Sequence, residues 1–257
     1  MKSKFIRFPV LSSPLLSYET GFSVADGCLY YRKLKHKTDY CVCYYGHIVD
    51  EIAFFNEVLT KILNKLYGID PIVRTRKEKG TCEIVIYSKD LFKFKHEIIG
   101  LPYGFGNKIK GIPSFILNDR KLLIEFMSGL FDGEASFSSL SKGSSNNQYP
   151  RIKFEMSNYS LVHEVMFALQ SLGINTTKLY ERRKLDNRTN HLYITWYFNI
   201  NGSKNCKKLV DTLNLKNPKH IRKCEAWIDY GKKKGGRECG LYLYSKEVIK
   251  YKGYKYY

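Results

Sequence analysis

The chain has 257 residues, 44% of them hydrophobic, enough for one large domain or two small ones around a real core. Its 43 Lys+Arg stand against 24 Asp+Glu, a formal net charge of +19 that points to a polyanion, nucleic acid above all, bound through its phosphates. The 7 cysteines include no C-x-x-C pair, which sets aside a zinc ribbon and a disulfide framework, and no apolar run has the length to span a membrane.

In chain order, the start MKSKFIRFPVLSSPLLS is basic before it is apolar, but Pro9, Pro14 and several serines interrupt it, so no signal peptide is expected. A helix begins near Pro14, capped by Ser12 or Ser13, and ends at Asp26–Gly27. Strands follow at about 28–36 and 39–46, with Cys41 and Cys43 alternating as core thiols. A helix over 50–68, strands at 71–78 and 81–87 and a short helix at 89–98 complete a first run. Residues 100–114, rich in Gly and Pro, read as a linker. A second run has a helix over 119–133, with Leu123, Phe126, Met127, Leu130 and Phe131 at helical spacing. Strands near 135–141 and 150–157 then flank a loose hairpin loop at 140–148. A helix at 160–172, strands at 176–184 and 191–200 and a helix at 203–213 follow. After residue 215 a helix over 218–230, anchored by Trp227, precedes a Tyr- and Lys-rich stretch expected on phosphate.

The two runs repeat one unit. YETGFSVADGCLYY (18–31) and FMSGLFDGEASFSS (126–139) match Gly21 with Gly129, Ala25 with Gly133 and Asp26 with Glu134. Further on, a Gly-Ile step, a basic strand, a turn and a second strand recur, and Ser88-Lys89 answers Ser203-Lys204. Each interior glycine costs a helix about 1 kcal/mol relative to alanine. Gly21 and Ala25 are four apart, as are Gly129 and Gly133, so each pair lies on one helix face. Small faces recurring in both copies predict two helices packed backbone against backbone. Asp26 and Glu134 then meet at two helix C-termini, where a negative charge opposes the macrodipole and like charges repel. A hard divalent cation, Mg²⁺ first, relieves that arrangement, and a metal beside a basic surface argues for phosphodiester hydrolysis.

ETGFSVADG (19–27) and MSGLFDGEA (127–135) resemble the paired motifs of the LAGLIDADG homing endonucleases of single-chain type, and IPSFILNDRKLLIEFMSGLFDGEAS is similar to archaeal members. The resemblance covers about residues 14–213. It implies an α+β fold of tandem αββαββα repeats about a pseudo-twofold axis, with two antiparallel sheets forming a DNA-binding saddle. The segments become a first repeat at 1–99, a linker at 100–118, a second repeat at 119–215 and a basic extension at 216–257. It implies a monomeric, site-specific, metal-dependent double-strand DNA endonuclease using Mg²⁺ or Mn²⁺, with Ca²⁺ binding without supporting cleavage. Asp26 and Glu134 are the implied metal-binding catalytic carboxylates, helped by the carbonyls of Ala25 and Gly133. Lys89 and Lys204 resemble the basic residues kept near the scissile phosphates. At the second-strand ends, where many relatives carry Gln or Lys, His47 and Ser157 stand instead. Asp132 fills a structural motif position, Val24 in the first copy, and is expected at a cap or the surface.

Strand alternation nominates Tyr30, Arg32, Arg74, Arg76, Lys178, Tyr180, Arg182, Tyr193 and Trp196 as DNA contacts. The rival readings are an RNA maturase bound to intron RNA and a non-cutting DNA-binding regulator; acid in both motifs favours the nuclease. An intein is set aside, because residue 1 opens no splicing block and the C-terminus lacks a His-Asn ending. The cysteines imply a reducing, intracellular setting, the cytoplasm or nucleoid of a prokaryote, archaeal by resemblance, or an organelle matrix.

Overall fold

A computed structural model describes residues 6–104, 109–141, 148–186 and 190–233. Most of the expected hairpin loop at 140–148 and the basic stretch beyond 233 lie outside the described residues, as does the side chain of Trp227. The chain forms two compact units, and they divide it elsewhere than the repeats do. The first joins Met1–Glu134 with Leu213–Pro218, and the second begins at Ala135. The helix that opens the second repeat is thus part of the first unit.

In the first unit, helix α1 (Pro14–Asp26) starts at Ser13, whose hydroxyl accepts the Leu16 N–H at 3.4 Å, with proline in the first turn. It runs without a loop into β1 (Gly27–Lys33). Strand β2 (Thr38–His47), a helical run α2 over 52–67, β3 (Val73–Arg76), β4 (Thr81–Tyr87) and a helical run α3 over 89–98 follow. The strands form an antiparallel sheet in the order β1-β2-β4-β3. Strand β3 is shorter than the expected 71–78, because Lys77–Lys79 already coil into a tight turn that reverses through Gly80 at φ +62°. A short helix α4 (Ser114–Leu117) inside the expected linker leads to α5 (Arg120–Glu134).

Helices α1 and α5 pack on their glycines. A Cβ built on Gly21 would stand 1.9 Å from the Phe126 carbonyl oxygen, and one on Gly129 would stand 1.9 Å from the Tyr18 carbonyl oxygen. The next neighbours are Leu130 N and Phe22 N, each at 2.9 Å, so the two contacts repeat each other with a local twofold relation. The backbones approach as closely as glycine permits, as the spacing predicts. Ser17 adds a hydroxyl bond to the Leu122 carbonyl at 2.6 Å.

The face of the sheet toward these helices is apolar: Leu29, Val42, Tyr44, Cys82 and Ile84 are buried with Phe22, Phe54, Phe55, Leu59 and Leu63. One charged pair lies inside this core. The Glu19 carboxylate and the Lys95 ammonium are both buried, with Nζ at 2.6 and 2.7 Å from the two carboxylate oxygens. Ser23 at 2.6 Å, Tyr67 at 2.8 Å and Tyr44 also donate hydroxyl bonds to Glu19, and Lys95 lies 5.7 Å from the ring centroids of Tyr44 and Tyr67. Burial raises the Glu19 carboxyl, but the Lys95 charge and these bonds outweigh it and hold the group below its ordinary range.

In the second unit, β5 (Ser136–Ser141), β6 (Gln148–Met156), α6 (Tyr159–Ser171), β7 (Tyr180–Asp186), β8 (His191–Asn201) and α7 (Ser203–Thr212) repeat the plan, and the sheet order β5-β6-β8-β7 is the same. Phe137, Ile152, Phe154, Phe198 and Ile200 are buried, as are Leu161, Val162, Val165 and Leu169 of α6. Strand β7 begins four residues later than expected, because the Thr177 hydroxyl takes a ladder position, accepting the Asn199 N–H at 3.0 Å. Helix α8 (Pro218–Lys233) packs His220 on the Phe137 ring at 4.3 Å and buries Cys224. Among the described residues no helix is long and apolar enough to cross a membrane.

Gly129→Leu is expected to destabilise by about 3 kcal/mol or more, because the new side chain meets backbone that cannot rotate away. An unchanged thermal midpoint would remove Gly129 from the contact. Lys95→Met should cost about 3–5 kcal/mol in chemical denaturation, since Glu19 is left charged and buried. The Glu19→Gln/Lys95→Met double variant should cost less than that single change; additive losses would show the pair to be uncoupled.

Candidate active site

The site is built where α1 and α5 end. Asp26 and Glu134 are the last residues of their helices, both partly buried, and both chains turn at once into a strand. The glycine face fixes their neighbourhood: a Cβ on Gly133 would lie 2.4 Å from the Ala25 Cβ and 2.9 Å from Asp26 Oδ2. The Asp26 carboxylate therefore rests on the peptide just before Glu134, in space that any larger residue at 133 would occupy. The donors offered here are oxygens, two carboxylates and the nearby peptide carbonyls, a set suited to Mg²⁺, Mn²⁺ or Ca²⁺ and unsuited to soft metals. Among the described residues no group of three or more His, Cys, Asp or Glu could hold a metal. A cation here would complete its shell with water or phosphate.

Asp132 is not at the surface but fully buried, which corrects half of the sequence expectation. It does act as a cap: its Oδ2 accepts the Tyr18 hydroxyl and the Lys216 N–H, each at 2.6 Å. Burial pushes this carboxyl up to about 6 against the pull of those donors. The segment Leu213–Pro218 is thereby strapped onto the paired helices. Asn214 N–H bonds the Ser128 hydroxyl at 2.8 Å, and the Lys216 ammonium reaches Glu125 at 3.1 Å and lies 3.9 Å from the Tyr18 ring centroid. Lys216 and Asn217 thus serve the helix pair.

The two lysines expected beside the chemistry both lie in the first turn of a helix. Ser88 caps α3, accepting the Leu91 N–H at 3.1 Å, so the Ser-Lys pair of the first copy has a helix-start cause. Lys89 follows it, exposed, 5.8 Å from the Tyr40 ring centroid. Ser88 N–H bonds the Tyr40 carbonyl, whereas Gly27 beside Asp26 pairs with Tyr44. Four residues of strand separate these levels, about 13 Å, so Lys89 does not come to Asp26. Lys204 is likewise an exposed residue in the first turn of α7, in the second unit.

Register fixes the faces of the sheets. On the open face of the first, away from the helices, lie Tyr30, Arg32, Arg74 and Arg76, the side chosen for them from sequence. Arg32 pairs with Asp39 at 3.4 Å and Arg76 with Glu83 at 2.8 Å. Cys28, Cys41 and Cys43 share this face. Cys41 and Cys43 are buried, and burial pushes the Cys43 thiol up to about 12, but they lie beneath the open-face side chains Tyr30 and Tyr45, not in the apolar core. On the second sheet Tyr180, Arg182 and Tyr193 lie on the open face, and Lys178 sits over Tyr180 at 5.4 Å from its ring centroid. Trp196 is the exception: it pairs with the core residue Met156 and packs against Tyr159 of α6 at 4.8 Å, on the helix side. Its even number against Tyr193 is the parity that placed it there. Arg151, Lys153 and Lys184 also lie on the open face and were missed, although the same alternation along β6 and β7 marks them.

Residues 121–214 match the family described as LAGLIDADG-like domain. I-DmoI in complex with DNA and Mn is 18% identical over 78% of this chain and 96% of its own, with a TM-score of 0.51. I-DmoI in complex with DNA and Ca reaches a TM-score of 0.54 at 19% identity, over 83% of this chain and 97% of its own. The LAGLIDADG homing endonuclease I-GzeII in complex with its DNA target is 14% identical over 95% of this chain and 98% of its own, with a TM-score of 0.53. No curated protein matches the chain. Residues 121–214 thus resemble a LAGLIDADG-like domain, and the chain has the two-sheet α+β fold of these solved homing endonucleases.

Because the folded Asp132 carboxyl titrates near 6, above its unfolded value, its contribution to stability falls as pH rises from about 4 to 6 and is constant above. The stability of Asp132→Asn relative to wild type should therefore improve across that window; a difference independent of pH would contradict the burial effect.

Proposed function

We propose that the chain is a site-specific double-strand DNA endonuclease that needs a divalent cation, Mg²⁺ or Mn²⁺, and acts as a monomer because it carries both motifs. The observation that supports this most is the seat of the Asp26 carboxylate on the Gly133 peptide, one residue before Glu134. Two carboxylates held at adjoining helix ends repel each other, and a cation between them relieves that repulsion. In this reading Asp26 and Glu134 hold the cation with the carbonyls of Ala25 and Gly133, and the same carboxylates orient the attacking water. A bound divalent ion supplies a more acidic water and stabilises the leaving oxygen.

The open sheet faces carry the cationic and aromatic side chains that would meet DNA. Arg74 has no ion pair among the described residues, while Arg32, Arg76 and Arg182 are held by Asp39, Glu83 and Glu155 at 3.4, 2.8 and 3.5 Å. Such pairing sets the guanidinium planes before DNA arrives, and the net charge of +19 supplies attraction for phosphate that carries no sequence information. Solved relatives of the same fold are complexes with DNA and with Mn or Ca, which favours DNA over RNA as the partner here. Six described cysteines are free thiols, and we place the protein in a reducing compartment inside a cell.

The test is cleavage of DNA spanning the uninterrupted insertion locus of this gene, with and without Mg²⁺. Asp26→Asn and Glu134→Gln should each abolish double-strand cutting and leave specific binding nearly intact. Cutting at wild-type rates by either variant would sink the assignment.

A further inference from the structure

Asn217 is fully buried, and its side-chain amide spans two elements that end at the site. Nδ2 donates to the Asp132 carbonyl at 3.1 Å and to Glu51 Oε1 at 3.3 Å. The Asp132 carbonyl belongs to the last turn of α5, where helical carbonyls have no partner further along the helix. The other oxygen of the buried Glu51, Oε2, accepts the His47 N–H at 2.8 Å, at the end of β2. Glu51 opens α2 but leaves that helix uncapped and turns back to the strand instead. Gly46 makes the room: a Cβ there would stand 2.5 Å from the Phe55 ring and 3.2 Å from Glu51 Oε2. Burial first, and the Glu51 and Asp26 charges next, push the Cys82 thiol up to about 11. The strand end at His47 lies three residues beyond Tyr44, the partner of Gly27 beside Asp26, and the His47 Nδ1 faces Asp50 Oδ2 at 3.2 Å.

We infer that Asn217 and Glu51 are positioning residues for the reaction proposed above: their hydrogen-bonded bridge holds the strand end at His47 in register with the helix end that carries Glu134. The inference rests on the nuclease reading. A neutral amide suits the task, because it can donate to a carbonyl and to a carboxylate at once without adding charge beside two acids. With the bridge intact, the end of α5 and the end of β2 move together. Without it, each is held only by its own element, and a displacement of a fraction of an ångström between catalytic groups is enough to slow a metal-assisted hydrolysis.

The experiment compares full-length wild type with Asn217→Leu and the milder Glu51→Gln, which keeps an acceptor for the His47 N–H. Binding to the DNA target is measured with Ca²⁺, single-turnover cleavage over a Mg²⁺ titration, and hydrogen exchange at the His47 amide. Binding is expected within about threefold of wild type, cleavage slowed at least tenfold, the Mg²⁺ midpoint raised, and the His47 amide exchanging faster. Wild-type cleavage rate and Mg²⁺ midpoint in both variants would overturn the inference. So would a loss of cleavage that follows thermal midpoint and vanishes at lower temperature, which is the mark of a purely structural residue. Failure of the wild type to cut any target with Mg²⁺ would count against the nuclease reading, while unchanged His47 exchange in Asn217→Leu would still count separately against the bridge.

Discussion

The distance between two helix backbones governs this molecule. Gly21 and Gly129 each face a carbonyl oxygen at a separation that leaves no volume for a single methyl group. Replacing them by the alanine a helix prefers would gain about 1 kcal/mol of propensity at each position. The contact outweighs that preference because everything at the far ends of the helices depends on it. Ala25 and Gly133 continue the same face, so the close approach persists to the last turn, and Asp26 arrives on the peptide of residue 133. Helix α1 passes directly into β1, so the helix contact also fixes where that strand starts.

Around that contact the two copies differ in where they keep polar groups. On one side Tyr18 of α1 meets Asp132 of α5; the corresponding positions on the other side are Phe126 and Val24, both apolar. Glu19 in α1, with its lysine and three hydroxyls, answers to Met127 in α5. Burying an ion pair is rarely a net gain over well-packed apolar residues. Its use here is directional: four elements, α1, β2, α2 and α3, each contribute a donor or acceptor that only one arrangement satisfies. An apolar core of the same volume tolerates sliding, whereas a carboxylate bound on every lone pair does not.

Much of this was legible in the sequence where the cause is local. A cap at Ser12 or Ser13, the glycine faces and the succession of elements in each repeat follow from spacing and from the recurrence of a unit, and the element limits fall within a few residues of those expected. The misses have physical reasons of two kinds. Lys89 looked functional because Ser-Lys recurs, yet the serine recurs as a helix start, which any helix in that place would need. Trp196 was nominated by strand alternation together with Tyr193, but the two differ in parity and lie on opposite faces of the sheet. The rest was out of reach of pattern: Lys95 lies 76 residues from Glu19, and Asn217 lies 166 from Glu51, and nothing in either neighbourhood announces the partner. A lysine in a basic helix and an asparagine before a proline both read as surface residues.

The way the chain divides has a consequence for recombination between genes. Proteins built from two repeats invite the exchange of halves, and the natural seam by sequence is the Gly- and Pro-rich stretch near residue 100. The compact body, however, runs from the start through Glu134 and takes in Leu213–Pro218. A crossover near residue 100 keeps Glu19 with Lys95 but separates α1 from the α5 it was shaped against, and it parts Tyr18 from Asp132 and Glu51 from Asn217. The heritable module is discontinuous in the gene. A hybrid that respects it must exchange residues 135–212 together with α8, on either side of the strap at Leu213–Pro218.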